Sequence, residues 1–257
     1  MKIQATLAIV IGGCQGIGQQ IAARLLEKGA KVCIADIQDG GAVLTEFHQQ
    51  FTSSRVDFHP CNVSKDSEID DVFAHVREIW GRFPSIVIST AGIIDEHDWQ
   101  KCVDINLGGS IRVVNAARRF LGRDSGGGGG VVVLTSSISG IQPDFWGPVY
   151  SATKHAVVGL VRSWAILQQK PNFEQHGIRF NVVCPGAVET PFLEQTDRAL
   201  HREWHRNRLH SIQLFSPNEV AEAFIRLVED DELNGEAIRL TRDLGVHLVQ
   251  FPDTVYA

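Results

Sequence analysis

Short apolar runs alternate with amphipathic stretches along the chain. Leu7-Ala8-Ile9-Val10-Ile11 is apolar at every position, the pattern of a strand buried on both faces. From Gln19 to Lys28 the period changes: Ile21, Leu25 and Leu26 fall at helical spacing, and Gly29 stops the run. Further strands are predicted over Lys31 to Ala35, Val56 to His59, Ile86 to Ile88, Val131 to Leu134, Ile178 to Val183 and Gly235 to Leu240. Between them lie helical patterns. One ends over Thr45 to Phe51, and one from Asp66 to Trp80 has Ile69, Val72, Phe73, Val76 and Trp80 on one face. A long one runs from Trp99 to Phe120, another from Val149 to Gln169 is ended by Pro171, and Pro217 opens one through Val228. Strand–helix alternation of this kind predicts an α/β fold, a doubly wound parallel sheet of about seven strands with helices on both faces. Gly126 to Gly130 reads as a flexible surface loop within one domain spanning 1–257, since the strand after it continues the alternation. The apolar tail from Val246 to Ala257 is too short to fold alone and is expected to pack on this chain or a partner.

Composition narrows the picture. At 257 residues, 44% of them hydrophobic, the chain can bury a sizeable core. A net charge of −6 argues against nucleic acid or an anionic membrane as partner. Cys14, Cys33, Cys61, Cys102 and Cys184 are scattered without a Cys-x-x-Cys, as expected of reduced thiols in a cytoplasmic protein. No apolar run approaches the ~20 residues that cross a bilayer. Ala5 to Ile11 has the texture of a signal-peptide core but runs straight into a glycine loop, so it is read as the first strand.

That loop is Gly12-Gly13-Cys14-Gln15-Gly16-Ile17-Gly18, set between a strand and a helix. Glycines let the backbone approach a pyrophosphate, and the helix N-terminus offers free amides and a favourable dipole. Asp36 stands at the end of the second strand, where a carboxylate accepts hydrogen bonds from ribose hydroxyls and repels a 2′-phosphate. Ile37 follows it and Gln15 lies in the loop, so neither place offers a basic residue, and NAD is favoured over NADP. Asn62 can hydrogen-bond an adenine edge with Val63 packing beside it, and Ser89-Thr90-Ala91-Gly92 is small enough to let a cofactor approach closely.

The chemistry centres on Ser137, Tyr150 and Lys154. Tyr150 and Lys154 are four residues apart, hence one turn apart on one helical face. A free phenol ionises near pH ~10, and a nearby ammonium is expected to lower that value. Ser137 follows the apolar run Val131 to Leu134, where its hydroxyl can hydrogen-bond the same substrate oxygen. This is a proton-transfer site for alcohol–carbonyl chemistry, given a hydride carrier beside it. Farther on, Cys184-Pro185-Gly186-Ala187-Val188-Glu189-Thr190 makes a tight turn at a strand's C-terminal end, where open α/β sheets bind ligands.

From about 188 to 215 the texture changes again. Leu193, Leu200 and Trp204 fall on one helical face among many arginines and histidines, as expected of a lid over the substrate. His201 and His205 lie at i, i+4, but Arg202 stands where a zinc-protease pattern needs Glu, so no metal is assigned. The positions flanking the site, Ile93, Ile94, Ile138, Ile141, Phe145, Trp146, Phe192 and Trp204, are largely greasy. With Ser137, these point to a polycyclic, terpenoid, steroid-like or long-chain alcohol; the lid's basic residues could instead meet a carboxylate.

These pieces resemble the short-chain dehydrogenase/reductase family over nearly the whole chain, which implies a Rossmann fold. The family's Thr-Gly-x-x-x-Gly-x-Gly falls on Ile11-Gly12 through Gly16-Ile17-Gly18, with Ile for Thr. Its Asn-Asn-Ala-Gly falls on Ser89-Thr90-Ala91-Gly92, with both amides lost. The two segments are neighbours in the family, so the losses imply a repacked strand junction and a weaker grip on cofactor. The resemblance implies a catalytic set of Asn106, Ser137, Tyr150 and Lys154, the thirteen-residue spacing to the tyrosine choosing Ser137 over Ser136. It puts the Pro-Gly-x-x-x-Thr turn at Pro185, Gly186 and Thr190, with Thr190 holding the nicotinamide amide. Tyr150 then takes the alcohol proton while hydride leaves for NAD, Ser137 steadies the oxygen, and Lys154 holds the nicotinamide ribose. Asn106 supports a water that relays the proton outward. The family further implies a homodimer or homotetramer, with the helices around Asn106 and Tyr150 at the contact. The alternatives are an NADPH-dependent ketone reductase, a dinucleotide-binding protein without turnover, and a family member turned to non-redox chemistry such as cyclisation.

Overall fold

The computed structural model describes residues 1–167 and 176–252. Its centre is one sheet of eight strands in the order β3-β2-β1-β4-β5-β6-β7-β8. The strands are β1 (Leu7–Ile11), β2 (Lys31–Asp36), β3 (Val56–Pro60), β4 (Ile86–Ser89), β5 (Gly130–Thr135), β6 (Ile178–Pro185), β7 (Ala237–Thr241) and β8 (Gly245–Leu248). All neighbours are parallel except β7 and β8. The helices are α1 (Gly16–Glu27), α2 (Gly41–Gln50), α3 (Asp66–Trp80), α4 (Trp99–Val103), α5 (Gly109–Leu121), α6 (Pro148–Leu167), α7 (Arg202–His210) and α8 (Pro217–Glu229). The chain is thus a Rossmann-type α/β fold.

Each strand splits its side chains between two cores, as period-two geometry requires. Ala8 and Val10 of β1 join Ile21, Leu25 and Phe224 on the face covered by α1 and α8. Leu7, Ile9 and Ile11 join Phe73, Val113 and Val157 on the face covered by α3, α5 and α6. The chain winds outward from β1 to β3 and returns to β4 on the other side of β1. This reversal opens a crevice at the carboxyl ends of β1 and β4, where open α/β sheets take their ligands.

Several elements differ from the sequence pattern. The eighth strand was not expected; part of the apolar tail doubles back antiparallel on β7, pairing Ile238 with Leu248. Beyond it Val249 and Phe251 pack on the second core, so the tail's described part lies on this chain. The last residues, 253–257, lie outside the described residues, as does the expected end of the Val149 to Gln169 helix at Pro171. The long helix over Trp99 to Phe120 is interrupted by a π turn at Asp104–Gly108, which carries Asn106. The glycine run is pinned rather than free: Gly127 N–H donates to the Gly122 carbonyl at 2.8 Å, Gly129 to Leu121 at 2.7 Å and Gly130 to Gly177 at 3.0 Å. A Cβ on Gly127 would lie 2.3 Å from the Leu121 carbonyl oxygen, so close backbone approach explains the glycine there.

Candidate active site

The crevice at the switch point is a cleft of about 570 Å³. One end is built by the glycine turn. A Cβ at Gly12 would lie 2.7 Å from Thr90 Oγ1, and one at Gly18 2.1 Å from the Gly12 carbonyl oxygen. At Gly16, φ is +55° and a Cβ would lie 2.9 Å from Thr190 Cγ2. Side chains at these places would push the turn apart. Without them, Gly12, Gln15, Gly16, Ile17 and Gly18 line the cleft at the start of α1, whose first turn has no acidic side chain and no side-chain cap. This is a cradle for a phosphate group.

Asp36 closes that end. It is 6% exposed, lines the cleft and accepts hydrogen bonds from the amides of Cys14 and Gln38, each at 3.0 Å. Ile37 beside it is largely exposed and no cation adjoins it in the cleft wall, which continues through Gln38, Asn62 and Val63. Asn62 Oδ1 is already held by the Ser64 amide at 3.0 Å and the Ser64 hydroxyl at 2.6 Å, so its side chain is fixed before any ligand arrives. These residues fit a dinucleotide whose ribose carries free hydroxyls.

Deeper in, the end of β5 and helix α6 supply Ser137, Tyr150 and Lys154. Ser137 follows β5 and starts a 3₁₀ turn, its Oγ accepting the Ser139 amide at 3.1 Å. Tyr150 and Lys154 stand one turn apart on α6, both buried and both in the cleft wall. Lys154 Nζ donates to the Thr135 carbonyl at 3.0 Å and lies 5.5 Å from the centre of the Tyr150 ring. Ala91, Gly92, Pro185, Gly186, Val188 and Thr190 complete the wall on either side. A Cβ on Gly92 would come within 3.3 Å of both Lys154 Nζ and Asn106 Oδ1.

Burial dominates the electrostatics. It pushes the Tyr150 phenol well above its ordinary value, against the pull of its hydrogen bond with Ser137. It pushes the Lys154 ammonium down to about 8. The expected lowering of the phenol by the lysine is therefore not the net result in this site. Burial works against the charged form of both groups, though Lys154 still carries its proton at neutral pH; its ammonium faces the Thr135 carbonyl and the ring.

Residues 6–201 match the family model for short chain dehydrogenases. The chain belongs to the short-chain dehydrogenase family. It is 31% identical over 265 residues to the NAD(+) 15-hydroxyprostaglandin dehydrogenases of Bos taurus and Homo sapiens, covering 100% of this chain and 98% of each relative. It is 30% identical to zerumbone synthase of Zingiber zerumbet, covering 95% and 96% of the two chains. Among solved structures, that of gox2181 superposes with a TM-score of 0.77 at 27% identity, covering 92% of this chain and 94% of the other.

As a short-chain dehydrogenase, the chain departs from the usual motifs in a compensated way. Ile11 stands where the family has Thr, yet the Thr90 hydroxyl reaches the carbonyl oxygens of Ile11 at 3.2 Å and Gly12 at 2.9 Å. Thr135 Oγ1 donates to the Ser89 carbonyl at 2.7 Å. The polar stitch between β1 and β4 is kept, made from β4 rather than from β1.

Asn106 does not reach the cleft wall. It is 1% exposed and braces the loop after β4, accepting the Ile93 amide at 2.8 Å and donating to the Ile93 carbonyl at 2.9 Å. Its amide also donates to Thr153 Oγ1 at 3.2 Å, and Thr153 in turn donates to the Tyr150 carbonyl at 2.7 Å. Of the expected substrate positions, Ile94, Ile138, Trp146, Phe192 and Trp204 line the cleft. Phe145 does not. It is half exposed and packs at a steep tilt against Trp204, ring centres 4.5 Å apart, and His201, 5.7 Å apart, outside the wall.

Segment 188–215 leaves and rejoins the body through a bridge between Val188 and Phe215. It is not the single helix that Leu193, Leu200 and Trp204 implied: a 3₁₀ stretch at Pro191–Arg198 is followed by His201 in the left-handed region and then α7. The rings of His201 and His205 therefore meet different partners, Phe145 and Trp146. Sequence reasoning missed Glu96, whose carboxylate holds the start of α6, and Thr135 and Thr153, which hold Lys154 and Asn106. No motif or spacing marked them, because each acts across 19 or more residues of chain.

Proposed function

We propose that this short-chain dehydrogenase oxidises a secondary alcohol on a bulky hydrophobic molecule, with NAD as cofactor. The observation that carries the reading is the convergence of the Tyr150 phenol, Ser137 and Lys154 on one wall of a cleft. That cleft has an acid-closed dinucleotide end and an apolar end formed by Ile94, Trp146 and Phe192. The relatives named for NAD(+) and a hydroxyprostaglandin support both halves of the reading.

NAD, when bound, supplies the hydride acceptor. Gly12, Gly16 and Gly18 give the backbone room for its pyrophosphate, Asp36 takes the adenosine ribose, and Thr190 holds the nicotinamide end. Ser137 orients the substrate oxygen by hydrogen bonding. Tyr150 takes the proton from that oxygen in oxidation and returns it in reduction. Lys154, held by the Thr135 carbonyl one turn along from Tyr150, holds the nicotinamide ribose. Asn106 fixes the loop after β4 and, through Thr153, the turn of α6 bearing Tyr150. The reverse reaction, reduction of a ketone, runs the same steps backwards, with Tyr150 giving its proton to the substrate oxygen. Asp36 and the exposed Ile37 count against NADPH in that role. The family resemblance supports a homodimer or homotetramer joined through α5 and α6, and five free thiols support a reducing, cytoplasmic setting. Among the described residues no helix is long and apolar enough to cross a membrane.

The test is a panel of hydrophobic secondary alcohols with NAD, followed by NADH absorbance. Tyr150→Phe should lose about 10³-fold or more in turnover while keeping its fold. Full turnover by that variant would overturn the assignment.

A further inference from the structure

His205 is a buried polar group without a partner. It lies on α7 and lines the cleft, the residue is 6% exposed, and its Nδ1 is sealed from solvent with no hydrogen bond. The ring stacks on Trp146 with centres 4.1 Å apart, and Trp146 lies 5.5 Å from the Tyr150 ring. An unsatisfied buried nitrogen is costly, and native structures rarely leave one without a reason. A half-turn of the ring about its Cβ–Cγ bond keeps the stacking plane and carries the nitrogens to the opposite edges.

The ligand's chemistry follows from the charge state. Burial lowers the His205 pKa, so the ring is neutral near pH 7 and offers one donor and one acceptor. Asp144 also lines the cleft, its carboxylate held by the Ser139 hydroxyl at 3.0 Å. An anion placed there would meet an uncharged imidazole and a like charge. A hydroxyl or keto oxygen pairs with either tautomer of the ring.

We propose that His205 reads a second, neutral oxygen of the substrate, one tryptophan ring away from the reacting alcohol. The preferred substrates are then doubly oxygenated hydrophobic molecules rather than simple alcohols. This rests on Tyr150 marking the reacting carbon.

The test uses a straight-chain secondary alkanol and alkanediols of the same length whose second hydroxyl is stepped along the chain. Oxidation with NAD gives kcat and KM, and quenching of tryptophan fluorescence gives binding. One spacing should be preferred over the alkanol by about tenfold or more in kcat/KM. His205→Phe, which keeps the stack on Trp146, should collapse that ratio through KM, and His205→Gln should restore part of it. A ratio unchanged in His205→Phe, or no preferred spacing in either turnover or binding, overturns the inference. If the preferred diol binds tightly yet neither compound is oxidised, the subsite stands and the alcohol-oxidation reading falls.

Discussion

The carboxylate of Glu96 grips the helix that carries Tyr150 by its backbone. Glu96 Oε1 accepts the Tyr150 amide at 2.8 Å and Oε2 accepts the Val149 amide at 3.0 Å. Pro148 opens the helix and has no N–H to offer, so one side chain from the loop after β4 satisfies the first two free donors of α6. Glu96→Ala should cost about 1 kcal/mol of stability, as loss of a helix cap does. It should also lower kcat by roughly tenfold while leaving the KM for NAD near its original value, because the phenol loses alignment and the cofactor end is untouched. Glu96→Gln, which keeps one accepting oxygen, should recover most of kcat. Parallel steady-state kinetics on the two variants check this.

Lys154 is held at an energetic disadvantage by its burial. Its ammonium is pushed down to about 8 from an ordinary 10.5, a burial cost of roughly 3 kcal/mol at neutral pH. That cost is fully present below pH 8, where the folded protein must carry the charge. It fades as pH rises towards 10.5, where the unfolded chain loses its proton too. Lys154→Met should therefore melt higher than the parent protein at pH 7, and the gap should narrow across the alkaline range. Turnover should fall by about 10²-fold or more. Melting curves at a series of pH values test the sign; a lower melting temperature at pH 7 would contradict it.

Cofactor choice is expected to turn on two adjacent positions. Asp36 presents a carboxylate and Ile37 leaves the neighbouring surface uncharged. The double change Asp36→Ser with Ile37→Arg should move the preference from NADH towards NADPH by about 10²-fold or more, since repulsion of a 2′-phosphate is exchanged for attraction. Dissociation constants for the two reduced cofactors, measured by fluorescence, give the ratio directly.

Thr90 ties the end of β4 to the glycine turn after β1. Its hydroxyl touches the carbonyls of both Ile11 and Gly12. Thr90→Val keeps the shape and removes the hydrogen bond, so it should cost about 1 kcal/mol, or a few degrees of melting temperature in a chain this size. NAD should bind severalfold more weakly, because Gly12 and Gly18 close on the same hydroxyl. Thr90→Ser should retain both properties.

Much of this was legible in the sequence. Continuous apolar runs such as Leu7 to Ile11 and Val131 to Leu134 marked parallel strands because both faces are buried, and no competing period obscured them. The glycine turn, Asp36 and the Tyr150–Lys154 pair are each local in sequence, so their spacing could be read before the fold brought them into one cleft wall. The π turn at Asn106 was hidden because it is a single turn within an otherwise helical stretch and has no residue signature of its own. Strand β8 was hidden because Gly245-Val246-His247-Leu248 is short, half polar and exposed at the sheet edge. The lid misled for a physical reason: Leu193, Leu200 and Trp204 share a helical face only if the chain stays helical through His201, and its left-handed backbone breaks the run. The net electrostatics of Tyr150 were out of reach, because they depend on burial set by residues more than forty positions away.

The loop between β4 and α4 also fastens the lid. Ile94 N–H donates to Gln195 Oε1 at 3.2 Å, Glu96 N–H to the Arg198 carbonyl at 3.0 Å, and the buried Asp95 pairs with Arg198. Three successive residues thus tether Pro191–Arg198 while the third also holds α6 by its first amides. Pro191–Arg198 and the first turn of the Tyr150 helix therefore hang from one stretch of chain, which Asn106 braces through both backbone groups of Ile93.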